Sequence, residues 1–190
     1  PSNSKVVDLE TTFIEALTPP ERGVDYPWPS LTNTMYGQRK TDLLAWGGGT
    51  GLGKTKCMYE LVTHNIVQHK WVNFCVMMEA LPTEVIHNLA GVLDDTTYWV
   101  PNTPFNKERF RHSFDRLKGG LVLWDNTQAT DPYSNWKGIK NRVDEMSDEI
   151  DTLTIDNITT LAEGLPPTEK NDFIGTVASE CIQLISKFKI

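Results

Sequence analysis

Trp46-Gly47-Gly48-Gly49-Thr50-Gly51-Leu52-Gly53-Lys54-Thr55 is the stretch whose reading decides the fold. From Gly48 to Thr55 it fits Gly-x-x-x-x-Gly-Lys-Thr without a mismatch. Glycines let the backbone turn so tightly that successive N–H groups face an anion. In that pattern the run Gly48, Gly49, Thr50, Gly51, Leu52 and Gly53 cradles phosphates. Lys54 supplies a cation for the terminal ones, and Thr55 offers a hydroxyl to Mg²⁺. A helix starting here adds the positive end of its dipole. Asp42-Leu43-Leu44-Ala45-Trp46, just before the loop, reads as a buried strand, and residues 56–69 read as a helix. Strand, loop and helix together predict binding of a nucleoside triphosphate.

Outward from the loop, strand and helix signals alternate. Residues 71–78 form a nearly all-apolar run, as a central parallel strand requires. A helix follows from Thr83, and another spans residues 107–117 before Gly119-Gly120. Residues 121–124 and 152–155 read as further strands. Between them lie a turn at 131–135 and a helix at 136–146. Residues 162–170 read as a mobile loop, followed by an amphipathic helix over 172–187. This order predicts an α/β domain with a mostly parallel sheet flanked by helices.

On the amino-terminal side, residues 6–17 carry Leu9, Phe13 and Leu17 at helical spacing, and Thr18-Pro19-Pro20 stops the helix. Residues 1–23 are therefore expected to be a linker helix and linker, and residues 24–190 the core. Trp28, Leu31 and Met35 of the lead-in segment are expected to pack on that core, with Pro27 and Pro29 keeping it extended. The chain opens at Pro1 with no Met and closes on Lys187-Phe188-Lys189-Ile190, so both ends read as cuts in a longer protein.

A length of 190 residues with 39% hydrophobic content suits one domain with a real core. No apolar run spans a membrane, and Pro1-Ser2-Asn3-Ser4-Lys5 lacks a signal-peptide core. Cys57, Cys75 and Cys181 sit far apart, as small hydrophobes in a reducing compartment do. A net charge of −7 argues against a broad nucleic-acid surface here. The basic helix around Arg109 and Arg111 is read as a solvated face, and the four histidines have no ligand spacing.

Hydrolysis needs an acid for Mg²⁺ and a group that orients water. Ligands of parallel sheets sit at strand carboxyl ends, where Glu79, Asp125 and Asp156 all fall. Glu79 directly follows an apolar strand and suits water activation. Asp156 is the better Mg²⁺ acid. Asp125 is its rival and reads otherwise as a strand-end turn residue.

Trp28-Pro29-Ser30-Leu31-Thr32, Gly48 to Thr55, Val76-Met77-Met78-Glu79 and Thr154-Ile155-Asp156 together resemble the RecA-like motor domain of DnaB-type hexameric replicative helicases. The phage helicase-primases and Twinkle-like members are the nearest in flavour. The resemblance covers residues 24–190. It implies a RecA-like P-loop NTPase core, with ATP or another NTP or dNTP as the nucleotide and Mg²⁺ as the cofactor. It implies Glu79 and Lys54 as catalytic residues, and Thr55 and Asp156 as the residues that place the metal. Its partners are single-stranded DNA and further copies in a hexameric ring, in a bacterial or phage-infected cytoplasm or a mitochondrion, with no membrane. The helix over residues 6–17 is similar in place to the linker helix that docks on the adjacent subunit. The family's polar phosphate sensor, DNA-binding loops and arginine finger would lie beyond Ile190. This piece is therefore expected to bind nucleotide better than it hydrolyses it, with little DNA affinity of its own. A RecA-like recombinase or clock-type ATPase is the alternative. A P-loop kinase needs an arginine-rich lid, and residues 162–170 contain no arginine.

Overall fold

A computed structural model of the chain describes residues 6–102, 104–128, 131–188 and 190. The expectations about Pro1–Lys5 and Lys189 lie outside them. Three strands form one parallel sheet: β1 (Asn73–Met77), β2 (Leu121–Leu123) and β3 (Thr152–Asp156), in the order β2-β1-β3. Asn73 of β1 stands opposite Leu121 on one side and Thr152 on the other; Met77 stands opposite Asp156. All five residues of β1 are buried, so Phe74 and Val76 face one helical layer while Cys75 and Met77 face the other. This is why its sequence is an unbroken apolar run instead of an alternating one.

The Cys75 face is covered by α3 (Lys54–His69), α4 (Pro82–Asp94) and α5 (Lys107–Leu117), through Tyr59, Val62, Ile66, Val85, Leu89 and Leu117. The Phe74 face is covered by α6 (Pro132–Glu145), α7 (Ile158–Leu161) and α8 (Pro167–Phe188), through Ile139, Val143, Leu161, Phe173 and Val177. Burying each such side chain contributes about 1.5–3 kcal/mol. The chain is thus an α/β domain with a small parallel sheet between two helical layers.

Residues 42–46 do not form the expected strand. They pair with no strand of the described sheet; Asp42, Leu43 and Ala45 are exposed, and the Asp42 N–H closes a local turn on the Arg39 carbonyl (3.1 Å). Lys40 bridges to Asp151 at the start of β3, so the segment sets out beside that edge without joining it. Two turn assignments also change. Residues 132–135 open α6, because Asp131 accepts from the N–H groups of Tyr133 and Ser134 and Pro132 suits the first helical position. Helix α8 likewise opens on a proline, Pro167, inside the expected loop.

The lead-in segment is not extended throughout: Pro29–Met35 forms the short helix α2. It is closed by an antiparallel bridge between Val24 and Gln38. A Cβ on Gly37, whose φ is +84°, would stand 2.3 Å from the Gly23 carbonyl oxygen. Trp28 and Leu31 are half-buried, whereas Met35 is exposed. The segment lies on the outer side of α3. Trp28 Nε1 donates to Glu60 (3.0 Å), Gln38 and Asn65 pair through buried amides, and the Nε2 atoms of His64 and His69 both meet the Asp25 carbonyl oxygen. Helix α1 (Leu9–Ala16) buries none of its residues, and Leu9, Phe13 and Leu17 are all open to solvent. Among the described residues no helix is long and apolar enough to cross a membrane.

Candidate active site

The glycine-rich loop leads directly into α3. Gly51 and Gly53 adopt φ of +81° and +82°, which L side chains resist. A Cβ on either glycine would meet nothing within 4 Å, so the space over the loop is open. Helix α3 has no side-chain cap at Gly53, and its first bond to the loop is Cys57 N to Gly53 O. The first-turn N–H groups ahead of it are free to face an anion. Lys54 Nζ donates to the carbonyls of Gly48 (2.8 Å) and Gly49 (2.9 Å), tying the cation across its own loop. The Thr55 hydroxyl has no hydrogen-bond partner among the described residues.

The carboxyl ends of β1 and β3 bring the two main acids to one rim. The Met78 N–H donates to the Asp156 carbonyl (2.7 Å), continuing the ladder past Met77. Glu79 comes next. Its Oε1 accepts from Asn157 Nδ2 (2.6 Å) and Thr160 Oγ1 (2.7 Å). Thr160, then Asn157, then the positive Lys54 hold the Glu79 carboxyl below the usual range. The peptide bond between Asp156 and Asn157 is cis.

The carboxylate of Asp156 is half-buried and makes no hydrogen bond or ion pair among the described residues. Asp125 differs. Its Oδ1 accepts from Thr127 N (3.0 Å) and Thr127 Oγ1 (2.6 Å), which close a local turn and hold its carboxyl low. It also lies at the end of β2, on the other side of β1 from Asp156. Asp125 therefore has a structural task, and Asp156 is the uncommitted acid on the rim.

Sequence inspection did not single out Asn126. Its Nδ2 faces the carbonyls of Met77 (2.7 Å), Met78 (3.3 Å) and Ala80 (3.0 Å), so it clasps the turn that presents Glu79. Its Oδ1 is buried without a hydrogen-bond partner among the described residues. Asn157 and Thr160 were also missed. Thr160 lies in a four-residue helix that Asn157 caps, too short to show periodicity, and their contacts lie 81 and 78 positions away.

A cleft of about 930 Å³ runs from Thr55 between α3 and α4, past Tyr59, Thr63 and Asn88, to Gly91 and Trp99. The Thr63 hydroxyl is buried there without a hydrogen-bond partner among the described residues. Burial, with the Asp156 charge next, pushes the Tyr59 phenol up to about 12, so it stays protonated.

Open space over the loop, uncapped N–H groups and a free carboxylate on the rim form a donor set that fits a magnesium nucleotide. Among the described residues no three His, Cys, Asp or Glu side chains gather as a metal cluster. A cation here would be held by Thr55, Asp156 and the nucleotide's own oxygens. A scan against protein-family models and a search of curated proteins both find no match to this chain.

Proposed function

We propose that the chain is the ATP-binding motor domain of a replicative DNA helicase, built on a RecA-like P-loop core. The observation that carries this reading is the register of β1 and β3. It sets Met77 opposite Asp156, two residues before Glu79, whose carboxylate bonds Asn157, the residue after Asp156, and is held low in part by Lys54. A loop that only held phosphate would need neither acid.

In this reading the N–H groups from Gly51 to Thr55 bind the phosphates. Lys54 leaves the Gly48 and Gly49 carbonyls to neutralise the β- and γ-phosphates. Thr55 and Asp156 orient the metal, Asp156 through water. Glu79 orients the attacking water and accepts its proton. Bound Mg²⁺ supplies charge neutralisation as the γ-phosphoryl group departs. The buried core around Val62 and Cys75 keeps α3 and β1 fixed to one another, so the Lys54 side chain moves while the helix and strand that carry the site stay in place.

The exposed stripe of α1 supports a ring. Leu9, Phe13 and Leu17 are exposed and uncovered by the described residues, and in this reading a neighbouring copy covers them. In the assembled protein that neighbour also supplies an arginine, and hydrolysis moves loops that grip single-stranded DNA.

Glu79→Gln in the full-length protein tests the reading. ATP affinity stays within about threefold, while hydrolysis falls by at least about a hundredfold. Loss of binding together with hydrolysis, or retention of hydrolysis, contradicts the role of Glu79. Absence of DNA-stimulated turnover in the wild-type protein removes the helicase reading and favours another ATPase of the same core.

A further inference from the structure

Glu79 stands on an exposed turn two residues past β1, where a glutamate ordinarily samples many rotamers. Here one end is held. Both donors, Asn157 Nδ2 and Thr160 Oγ1, converge on Oε1, and Oε2 has no hydrogen-bond partner among the described residues. The donors are themselves fixed. Asn157 Oδ1 caps α7, accepting from Thr160 N (2.7 Å) and from Thr159 Oγ1 (2.6 Å), so its amide is pinned at both ends. The turn that carries Thr160 is anchored by Leu161, which is 1% exposed in the core. Asn157 also follows Asp156, whose carbonyl takes the Met78 N–H. A single short piece of chain thus fixes Asp156 and reaches across to Glu79.

We propose that Asn157 and Thr160 are positioning residues for Glu79, anchoring one carboxylate oxygen so that the other is presented to the attacking water. The inference rests on the hydrolase reading above. Neither residue belongs to the glycine-rich motif, and neither need touch nucleotide. They act by removing rotational freedom from the carboxylate before the substrate arrives. The same two bonds favour its ionised form, which is the form able to accept a proton.

Thr160→Val in the full-length protein removes the hydroxyl at nearly constant shape. The expected result is a fall in kcat of about tenfold with KM for ATP changed less than about twofold. Thr160→Ser, which restores a hydroxyl, recovers most of the loss. A second readout needs no nucleotide: carboxylate carbon NMR of Glu79 titrates at higher pH in Thr160→Val than in wild type. Asn157→Ser provides an independent variant. It keeps an oxygen to cap α7 but loses the amide that reaches Glu79, and it is expected to lower kcat in the same way. A wild-type protein that hydrolyses ATP beside a Thr160→Val variant of equal or higher kcat overturns the positioning role alone. A wild-type protein that neither binds nor hydrolyses ATP overturns the hydrolase reading and this inference with it.

Discussion

At the scale of single residues, a buried polar cluster lies away from the loop. Asp94 is buried at the end of α4 and accepts from Tyr98 Oη (2.5 Å) and Ser113 Oγ (2.8 Å), with Arg109 Nε 3.1 Å away. Burial pushes its carboxyl up, but Tyr98, Ser113 and Arg109 together outweigh that and hold it below the ordinary value. The sign follows. A depressed folded value stabilises the fold above the unfolded-chain value, and that stability is lost as pH falls through the folded one. Tyr98→Phe is expected to reduce the unfolding free energy by about 1–2 kcal/mol at neutral pH. The difference from wild type narrows below the ordinary aspartate range, where the carboxyl is protonated. Urea melts of both proteins across that range check this, and an unchanging gap contradicts it. An aspartate at a helix end looks like an ordinary turn residue in the sequence. Nothing there tells Asp94, which organises the α4–α5 junction, from the exposed Asp95 beside it.

At the scale of elements, α1 is the exception in a molecule otherwise built by burial. Asp8 caps it through Glu10 N and Thr11 Oγ1, yet none of its apolar side chains is covered. Phe13→Ala is therefore expected to change the unfolding free energy of the monomer by no more than about 0.5 kcal/mol and, if copies associate through α1 as proposed, to weaken that association. Sedimentation beside thermal melts separates the two effects, and a large loss of monomer stability would show that α1 packs within its own chain. The periodicity of α1, α4 and α5 was legible because an amphipathic stripe is a local signal. The starts of α6 and α8 were not, since Asp131-Pro132 and Pro166-Pro167 read equally as turns or as helix openings. Residues 42–46 mislead for a deeper reason. An apolar run reports a tendency to be covered, whereas a strand needs a partner with free N–H and C=O groups, and no residue of the run records whether one is there.

At the scale of the whole molecule, the sheet with both faces covered and the rim that gathers Glu79 and Asp156 were legible together. An unbroken apolar run at β1, with acids at or just past the carboxyl ends of all three strands, encodes a buried parallel sheet with a polar edge. What holds the rim in shape was hidden: Asn126, Asn157 and Thr160 act across long stretches of chain. If the loop takes a magnesium nucleotide, ligand a hundredfold above Kd adds about 2.7 kcal/mol. That corresponds to a rise of roughly 5–10 °C in Tm for a chain of this size. Lys54→Ala is expected to abolish the rise, and chelation of Mg²⁺ to shrink it. An equal rise in Lys54→Ala, read by differential scanning fluorimetry, would place the nucleotide elsewhere. The Trp28 and Trp46 rings meet edge to face, 5.5 Å apart, and Trp46 is the last residue before the glycines. Trp28 is also bonded through Glu60 to the helix that the loop begins. The molecule therefore carries an optical reporter at the hinge of its loop. A change in indole emission on mixing with nucleotide, absent in Trp46→Phe, would time the moment when Lys54 lets go of its own backbone.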